Sequence, residues 1–447
     1  MPAPDAAQVR TVLLCTVGGS PDPIVKAIEA RRPDRVVFLC TGPSGTNPGS
    51  RVQVEGPVPA PPTPPPRPDR PHDPRPIPER AGLAPGSWEV VEVPADDPDT
   101  VFWRCRQLLR RLRAERATRE ARVWVDYTGG TKSMTAGLLA AAIGLDDATR
   151  PQLVTGERAD LVQVRGGTER TVEVPVDAML ADRVLAQAEA LWGRYAYAAA
   201  AALLEPVAKS LAIAEGAPAD LRELVSRALR ASELLAAWDR LDHAGALQLL
   251  REHRLASTTL LRPYDHPLRK LAAPDRRMPL LLLDLWHNAL RRAATGAFDD
   301  AVARCYRLVE ATAQHLLASR FGIDTGRLEP SRFVERLPER ERPAWSTRKV
   351  AGLLDAWRLF FWLVPEDDPI RHALRAERPD GNPMAQLQAW LETRNYSLFA
   401  HGFAPVGRDG FEEVRRWMER FWLDAIWPQL GSKEGLAQLP TSLSGLT

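Results

Sequence analysis

A glycine-containing turn between an apolar segment and an Ala/Leu-rich segment is the feature that most constrains this fold. The apolar segment is Val123-Trp124-Val125, and the turn that follows is Asp126-Tyr127-Thr128-Gly129-Gly130-Thr131-Lys132-Ser133. Strand, glycine turn and helix in this order place backbone N–H groups at a helix N-terminus, where anions bind. Several hydroxyls and one ammonium in the turn also suit phosphate. The sequence therefore predicts an anion-binding turn at the carboxyl end of a strand.

A second glycine turn, Val17-Gly18-Gly19-Ser20, follows the first predicted strand. Neither turn has the spacing of a P-loop, and neither has the Gly-x-Gly-x-x-Gly pattern of dinucleotide-binding proteins. ATP hydrolysis and NAD binding are therefore disfavoured. Two tight turns without a ligand are the alternative interpretation. Because open α/β sheets bind ligands at the carboxyl ends of their strands, the pair of turns favours a binding site.

The first 180 residues alternate strand and helix patterns, and the remainder is almost wholly helical. Repeated βα units predict a mainly parallel, Rossmann-like sheet followed by an all-α region. Strands are predicted at 11–16, 35–40, 88–93, 122–127, 152–156, 161–165 and 171–176, and N-terminal helices at 22–30, 98–119 and 132–145. C-terminal helices are predicted at 185–214, 221–253, 279–295, 299–321, 347–363, 383–400 and 411–427. Segments beginning at Gly193, Asp242 and Gly296 are predicted to be turns of helical hairpins.

Composition narrows the class of protein. The 447 residues suffice for two or three domains, and a net charge of +2 gives no global field that would attract nucleic acid. The four cysteines, Cys15, Cys40, Cys105 and Cys305, lack metal-site spacing, so no zinc site or disulfide framework is expected. Without a signal pattern or a long apolar segment, we expect a cytoplasmic protein that does not contact membranes. Within an insertion at 43–86, residues 57–78 include twelve prolines and are predicted to be extended and exposed.

A candidate catalytic pair lies near the C-terminus. Arg394 and His401 are seven positions apart, so on a helix they share a face about 10 Å apart. Gly402 is a helix-ending residue, and the negative end of the helix favours the imidazolium form of His401. This pair permits metal-free transesterification of RNA: His401 moves protons, Arg394 holds the phosphate, and Asn395 orients the phosphate or the imidazole. An Arg and a His on one helix face also occur together without catalysis.

These motifs together resemble a known family. Residues 17–20 and 126–134 look like a CARF domain (CRISPR-associated Rossmann fold), and Arg394-Asn395-x5-His401-Gly402-Phe403 resembles the signature of HEPN ribonucleases. Residues 298–310 are similar to a helix near that signature. The architecture resembles the ancillary ribonucleases of type III CRISPR systems. The resemblance implies a CARF domain at 1–180, a helical connector at 181–275 and a HEPN-like domain at 276–447.

The resemblance also implies a mechanism and partners. CARF domains dimerise, and their strand-end loops bind cyclic oligoadenylate across the two-fold axis. HEPN domains dimerise as well, so Arg394, Asn395 and His401 of both copies would cut single-stranded RNA once the messenger binds. No metal and no cofactor other than the activator are implied. The residues implied to contact the messenger are Gly18, Gly19, Ser20, Thr128, Gly129, Gly130, Thr131, Lys132 and Ser133.

Two other hypotheses remain open at this point. The chain could be a cyclic-oligoadenylate-binding regulator or scaffold whose helical half is catalytically inactive. The CARF pocket could also cleave its own ligand, since Ser20, Thr128, Thr131 and Lys132 are of types that can position a ribose 2′-hydroxyl. No DNA-reading module is recognisable, so a DNA partner is not expected.

Overall fold

Apolar strands alternate with amphipathic helices through the N-terminal part of the computed structural model. The structure describes residues 10–56, 73–115, 118, 120–144, 149–156, 168, 170–214, 216–274, 278–376, 404–431 and 435–446. Two compact units, Met1–Asp182 and Arg183–Thr447, divide the chain. Residues 181–275, predicted to be a connector, lie almost wholly in the second unit together with the C-terminal helices.

A six-stranded sheet of order β3-β2-β1-β4-β5-β6 organises the N-terminal unit. The first five strands are parallel, and β6 pairs antiparallel with β5. This confirms the predicted mainly parallel, Rossmann-like sheet. Near-continuous apolar runs, as in β2, are typical of parallel strands that are buried on both faces. The strands are β1 Thr11–Thr16, β2 Arg35–Cys40, β3 Trp88–Glu92, β4 Arg122–Asp126, β5 Thr149–Thr155 and β6 Arg170–Glu173.

Helices cover both faces of this sheet, each over its own apolar cluster. On one face, α4 and α5 pack against side chains such as Leu14 and Val125. On the other face, α1, α2 and α3 pack against side chains such as Leu13 and Phe38. The result is a three-layer α/β arrangement with the sheet in the middle layer. The helices are α1 Asp22–Arg31, α2 Val52–Glu55, α3 Ile77–Arg80, α4 Pro98–Ala114 and α5 Lys132–Ala142.

The insertion at 43–86 departs from its prediction where it is described. We expected 57–78 to be extended and exposed, yet Ile77 begins α3 and is fully buried in the α1-side cluster. Val54 of α2 is buried in the same cluster. Apolar residues that flank the prolines therefore join the core, because the sheet offers them an uncovered face. The predicted strand at 161–165 lies outside the described residues.

The second unit contains helices and no strand among its described residues, which confirms the predicted all-α region. The first six residues of helix α6 belong to the first unit, and the helix ends in the second. None of the helices in the described ranges is long and apolar enough to cross a membrane. The helices are α6 Asp177–Trp192, α7 Tyr197–Ile213, α8 Ala219–Asp239, α9 His243–Glu252, α10 Arg262–Leu271, α11 Leu280–Ala294, α12 Phe298–Phe321, α13 Arg342–Ser346, α14 Leu353–Leu363, α15 Pro369–Ala376 and α16 Arg408–Met418.

Shorter helical segments complete the second unit. A π-helical segment, Glu419–Ile426, continues α16 and leads into the 3₁₀ turn Trp427–Leu430. The remaining 3₁₀ turns are Leu255–Ser257, Pro330–Arg332 and Val334–Arg336.

The three predicted hairpin turns separate α6 from α7, α8 from α9, and α11 from α12. The predicted single helices at 185–214 and 221–253 are therefore each two helices. Each turn has one residue in the left-handed region, namely Tyr195, Leu241 or Gly296. In each turn the next N–H reaches back to the fifth preceding carbonyl, as in Asp242 N to Ala237 O at 3.0 Å. This is the bonding pattern of a Schellman helix end.

Helix α12 is the scaffold on which the C-terminal helices pack. Trp357 of α14 donates its indole N–H to the Val309 carbonyl at 3.1 Å. Trp422, which follows α16, donates to the Thr312 hydroxyl at 2.9 Å. Both bonds are buried, so the paired polar groups fix how the tryptophans pack onto α12.

Candidate functional site

The two predicted glycine turns meet at the carboxyl edge of the sheet. Strands β1 and β4 are parallel neighbours, with Cys15 opposite Asp126, so the turns that follow them start side by side. A Cβ atom at Gly18 would lie 2.6 Å from the backbone nitrogen of Gly130. A Cβ atom at Gly129 would lie 2.4 Å from the carbonyl oxygen of Thr16. Only glycine allows the backbones of the two turns to approach this closely.

Gly130 requires glycine for a second reason. Its φ of +85° lies in the left-handed region, which side chains other than glycine rarely adopt. This conformation reverses the chain between β4 and α5. Gly19, by contrast, has open space where a Cβ would stand. The turns therefore place Gly18, Gly129 and Gly130 in a packed centre and leave Gly19 at an open rim.

The carboxylate of Asp126 folds the start of the second turn. Asp126 is fully buried, and its Oδ1 accepts a hydrogen bond from the Thr128 N–H at 3.0 Å. Its Oδ2 accepts a hydrogen bond from Gln152 Nε2 at 2.9 Å. Burial raises the pKa of the Asp126 carboxyl above its ordinary value, although these hydrogen bonds oppose the shift. Asp126 is therefore a structural anchor that forms an Asx turn.

Two of the predicted ligand contacts have hydroxyls that already serve the fold. The Thr128 hydroxyl accepts a hydrogen bond from the Val154 N–H of β5 at 2.7 Å. Thr131 is the N-cap of α5: its hydroxyl accepts from the Met134 N–H at 3.2 Å and donates to the Ala95 carbonyl. The Thr128 hydroxyl can still donate its proton to a ligand, whereas the Thr131 hydroxyl already both donates and accepts a hydrogen bond. The two threonines hold the turn in place.

The remaining predicted contacts form a set of open donors. Helix α5 has no acidic residue in its first turn, so the partial positive charge of its N-terminus has no counter-charge there. Among the described residues, the N–H groups of Lys132 and Ser133 have no acceptor. The ammonium of Lys132 and the hydroxyls of Ser20 and Ser133 also lack a partner within the described ranges. Because these groups are exposed or half-buried, the arrangement can bind a phosphate-bearing ligand.

One residue at this edge was missed by the sequence prediction. Gln53 of α2 is buried, and its side-chain N–H donates to the Gly19 carbonyl at 3.3 Å. Its Oε1 has no hydrogen-bond partner among the described residues. Gln53 comes from the insertion at 43–86, and no local pattern there indicated its contact with the first turn.

The candidate catalytic residues Arg394, Asn395 and His401 lie outside the described residues. The chain on either side of them is described. Helix α15 precedes them, and after them the Val406 N–H donates to the carboxylate of Asp299, near the start of α12, at 3.2 Å. Within the described ranges, no group of three or more His, Cys, Asp or Glu side chains could hold a metal ion.

Comparison with known proteins identifies a matching family and a solved structure with a similar fold. Residues 271–423 match the family described as the Csm6 HEPN domain, and this range includes Arg394, Asn395 and His401. The solved structure of Csm6 from Enterococcus italicus, bound to cyclic hexa-2′-fluoro-hexa-dAMP, covers 94% of this chain and 96% of its own at 14% identity, with a TM-score of 0.52. Residues 271–423 thus form a HEPN domain of the Csm6 type, in a chain that shares the overall fold of Csm6.

Two other solved structures match with lower TM-scores. Can2 from Sulfobacillus thermosulfidooxidans, in complex with cyclic tetra-adenylate, is 13% identical, covers 64% of this chain and 68% of its own, and has a TM-score of 0.24. A type III CRISPR defence DNA nuclease activated by cyclic oligoadenylate is 20% identical over 54% of this chain and 37% of its own, with a TM-score of 0.23. These two scores are too low to support an inference. No curated protein sequence matches the chain.

Proposed function

We propose that this CARF–HEPN protein is a cyclic-oligoadenylate-activated, metal-independent endoribonuclease of cytoplasmic type III CRISPR antiviral defence. The observation that carries the proposal is the match of residues 271–423 to the Csm6 HEPN domain in a chain whose sheet edge offers open anion donors. Sensing belongs to the N-terminal unit, and cleavage of single-stranded RNA belongs to the HEPN domain.

The geometry of the glycine turns supports the sensing half of the proposal. The N–H groups at the start of α5, together with Lys132 and Ser133, supply donors for phosphate and ribose oxygens. A ring of adenylates has two-fold-compatible symmetry, so it suits the same edge of two chains in a homodimer. The Csm6 structure that shares this fold is bound to a cyclic hexanucleotide analogue.

The cleavage half rests on Arg394, Asn395 and His401 and on the chemistry of RNA. His401 takes the proton from a ribose 2′-hydroxyl, and the 2′-oxygen forms a bond to the adjacent phosphorus. The bond from phosphorus to the 5′-oxygen breaks, and that oxygen receives a proton from the imidazolium form of His401, leaving a 2′,3′-cyclic phosphate and a 5′-hydroxyl. Arg394 stabilises the charge on the phosphoryl oxygens, and Asn395 orients the phosphate. Both copies of the HEPN domain contribute to one cleft.

RNA cleavage in the presence of a chelator tests the proposal directly. We expect wild-type protein to cut single-stranded RNA in EDTA only after addition of cyclic tetra- or hexa-adenylate. His401→Ala should bind the messenger normally and cut nothing. Cleavage that ignores every messenger would contradict activation, and messenger binding without any cleavage would indicate a regulator.

Lys132 offers a way to separate sensing from cutting. Lys132→Gln should require about tenfold more messenger for half-maximal cleavage, because one charge-assisted contact is lost, but should reach the same maximal rate. Lys26→Gln is the matched control, since Lys26 is an exposed lysine of α1 in the same unit, paired with Glu29. Equal messenger requirements of the two variants would remove Lys132 from the binding site.

A further inference from the structure

The opposite, amino-terminal edge of the sheet carries an arginine-lined groove. It is open to solvent, has a volume of about 630 Å³, and lies where β1, β4 and β5 begin and α1 ends. Strand β1 is six residues long, so the groove is about 17 Å from the glycine turns. The described residues that line it are Arg10, Thr11, Ala30, Arg31, Glu120, Arg122, Trp124 and Arg150.

The charges of this groove are unbalanced. Four guanidinium groups line it, and Glu120 is the single carboxylate among its described lining residues. Arg10 and Arg122 form no ion pair within the described ranges, and Arg150 has one distant partner, Glu173, at 3.8 Å. Because the four arginines come from four separate segments of the chain, the fold itself brings them together. Such a cluster attracts a ligand with several negative charges.

The floor of the groove is a stacked pair. The Arg31 guanidinium lies 3.3 Å from the centroid of the Trp124 ring, and Arg31 Nε donates to Gln152 Oε1 at 2.6 Å. These two contacts hold the guanidinium plane in one orientation. Burial lowers the pKa of Arg31, with Glu173 and Asp126 opposing and Arg122 adding to the shift. Arg31 remains half-exposed and can present its other face to a ligand.

We propose that this groove binds single-stranded RNA, with phosphates held by Arg10, Arg122 and Arg150 and a base stacked on the Arg31 guanidinium. A guanidinium plane held in one orientation can stack on an unpaired base. Duplexes and free phosphate have no unpaired base to offer. The choice of RNA rests on the proposed ribonuclease function. The groove is a second RNA contact, on the CARF unit, in addition to the HEPN cleft.

Binding of a fluorescent single-stranded RNA to full-length His401→Ala protein, measured over a range of salt concentrations, tests this inference. The triple variant Arg10→Gln/Arg122→Gln/Arg150→Gln should bind at least tenfold more weakly at low salt. Its plot of log affinity against log salt should be shallower by about 2, since each lost phosphate contact removes about 0.7 from the slope. The control is Arg104→Gln/Arg110→Gln/Arg111→Gln on α4, which removes the same charge and should change affinity less than twofold.

The results that would overturn the inference are specific. Equal weakening by both triple variants would show a non-specific charge effect, and unchanged binding by the groove variant would exclude the site. Equal weakening for duplex RNA would overturn the single-strand assignment. Failure of the proposed nuclease function is distinguishable, because wild-type protein would then leave RNA intact with messenger while the binding comparison remained measurable.

The stacking role of Arg31 has its own variant. Arg31→Lys keeps the charge but loses the plane, so it should weaken binding of single-stranded RNA several-fold without changing the salt slope. An unchanged thermal unfolding temperature would show that the fold is intact. Unchanged affinity in such a folded variant would overturn base stacking on Arg31.

Discussion

Thr16 and Gly129 join the two glycine turns: the Thr16 hydroxyl donates to the Gly129 carbonyl oxygen at 2.5 Å, although 113 positions separate them in sequence. Thr16 is fully buried at the end of β1. Its own carbonyl oxygen lies where a side chain at Gly129 would stand. The position of one turn therefore fixes the position of the other, which is what a binding edge built from two separate loops requires.

Loss of the Thr16 hydroxyl should loosen this edge. Thr16→Val keeps the shape of the side chain but leaves the Gly129 carbonyl without its donor, at a cost of about 1 kcal/mol in the free energy of unfolding. Because the turns then move more independently, we expect binding of cyclic hexa-adenylate to weaken about fivefold. Isothermal titration calorimetry and urea unfolding measure the two effects. Thr16→Ser, which retains the hydroxyl, should behave like wild type; weaker binding by the serine variant than by the valine variant would contradict this account.

The glycines of the second turn should differ sharply from Gly19 in their tolerance of a methyl group. Gly129→Ala places a Cβ 2.4 Å from the Thr16 carbonyl oxygen, a backbone atom that can move only if β1 moves. We expect a loss of about 1–3 kcal/mol in the free energy of unfolding. Gly19→Ala is the matched control, since nothing lies within 4 Å of its Cβ position and its φ is not in the left-handed region. Equal stabilities of the two variants would show that the turns are not in contact.

Strand positions could be predicted closely because each buried parallel strand corresponds to a continuous apolar segment of the sequence. The bounds expected for β1 and β2 agree with the structure, and β4 ends one residue before its predicted end. The glycine turns were also predictable, since Gly-Gly pairs between a strand and a helix are local signals. Which threonine keeps a hydroxyl proton free and which caps a helix was not predictable. The occupied hydroxyl of Thr131 depends on the Ala95 carbonyl, 36 positions away.

Contacts that depend on distant backbone carbonyls could not be predicted from the sequence at all. The Tyr197 hydroxyl donates to the Pro440 carbonyl at 2.8 Å, and the Tyr264 hydroxyl donates to the Gln438 carbonyl at 2.7 Å. The contact of His243 with another helix is of the same kind, since no local pattern indicates it. His243 is buried and hydrogen-bonded to Asp284 at 2.7 Å. Such pairings have no sequence period, because either partner is chosen by the three-dimensional packing.

Leu241 should limit stability through its backbone conformation. Its φ of +62° is unfavourable for a residue with a side chain, whereas Gly296 occupies the equivalent place of another hairpin turn at a φ of +80°. Leu241→Gly should therefore stabilise the protein by about 1 kcal/mol, because the strain is relieved and the side chain is already exposed. Gly296→Ala should destabilise by a similar amount, although open space surrounds its Cβ position. Thermal unfolding of both variants checks the pair; a lower unfolding temperature for Leu241→Gly would show that packing of the leucine outweighs the strain.

His287 should make the helical unit sensitive to acid. Burial lowers the pKa of this histidine from 6.5 to about 4, and the nearby charge of Arg291 adds to the shift. The Nδ1 atom of His287 has no hydrogen-bond partner among the described residues. The folded state therefore keeps the ring neutral at a pH where the unfolded chain is protonated. Stability is unaffected above pH 6.5, falls as the pH drops from 6.5 towards 4, and the total loss is about 3 kcal/mol.

Substitution of His287 isolates this effect from the other titrating groups. His287→Phe fills the same half-buried space without a titrating ring, so its urea-unfolding free energy should fall less than that of wild type between pH 6.5 and pH 4.5. The control is His253→Gln, an exposed position directly after α9, which should follow the wild-type pH profile because it leaves His287 in place. At each pH, the unfolding free energy of wild type is subtracted from that of the variant. This difference removes any packing effect of the phenyl ring that does not change with pH. A His287→Phe profile parallel to that of wild type over this range would contradict a buried neutral histidine.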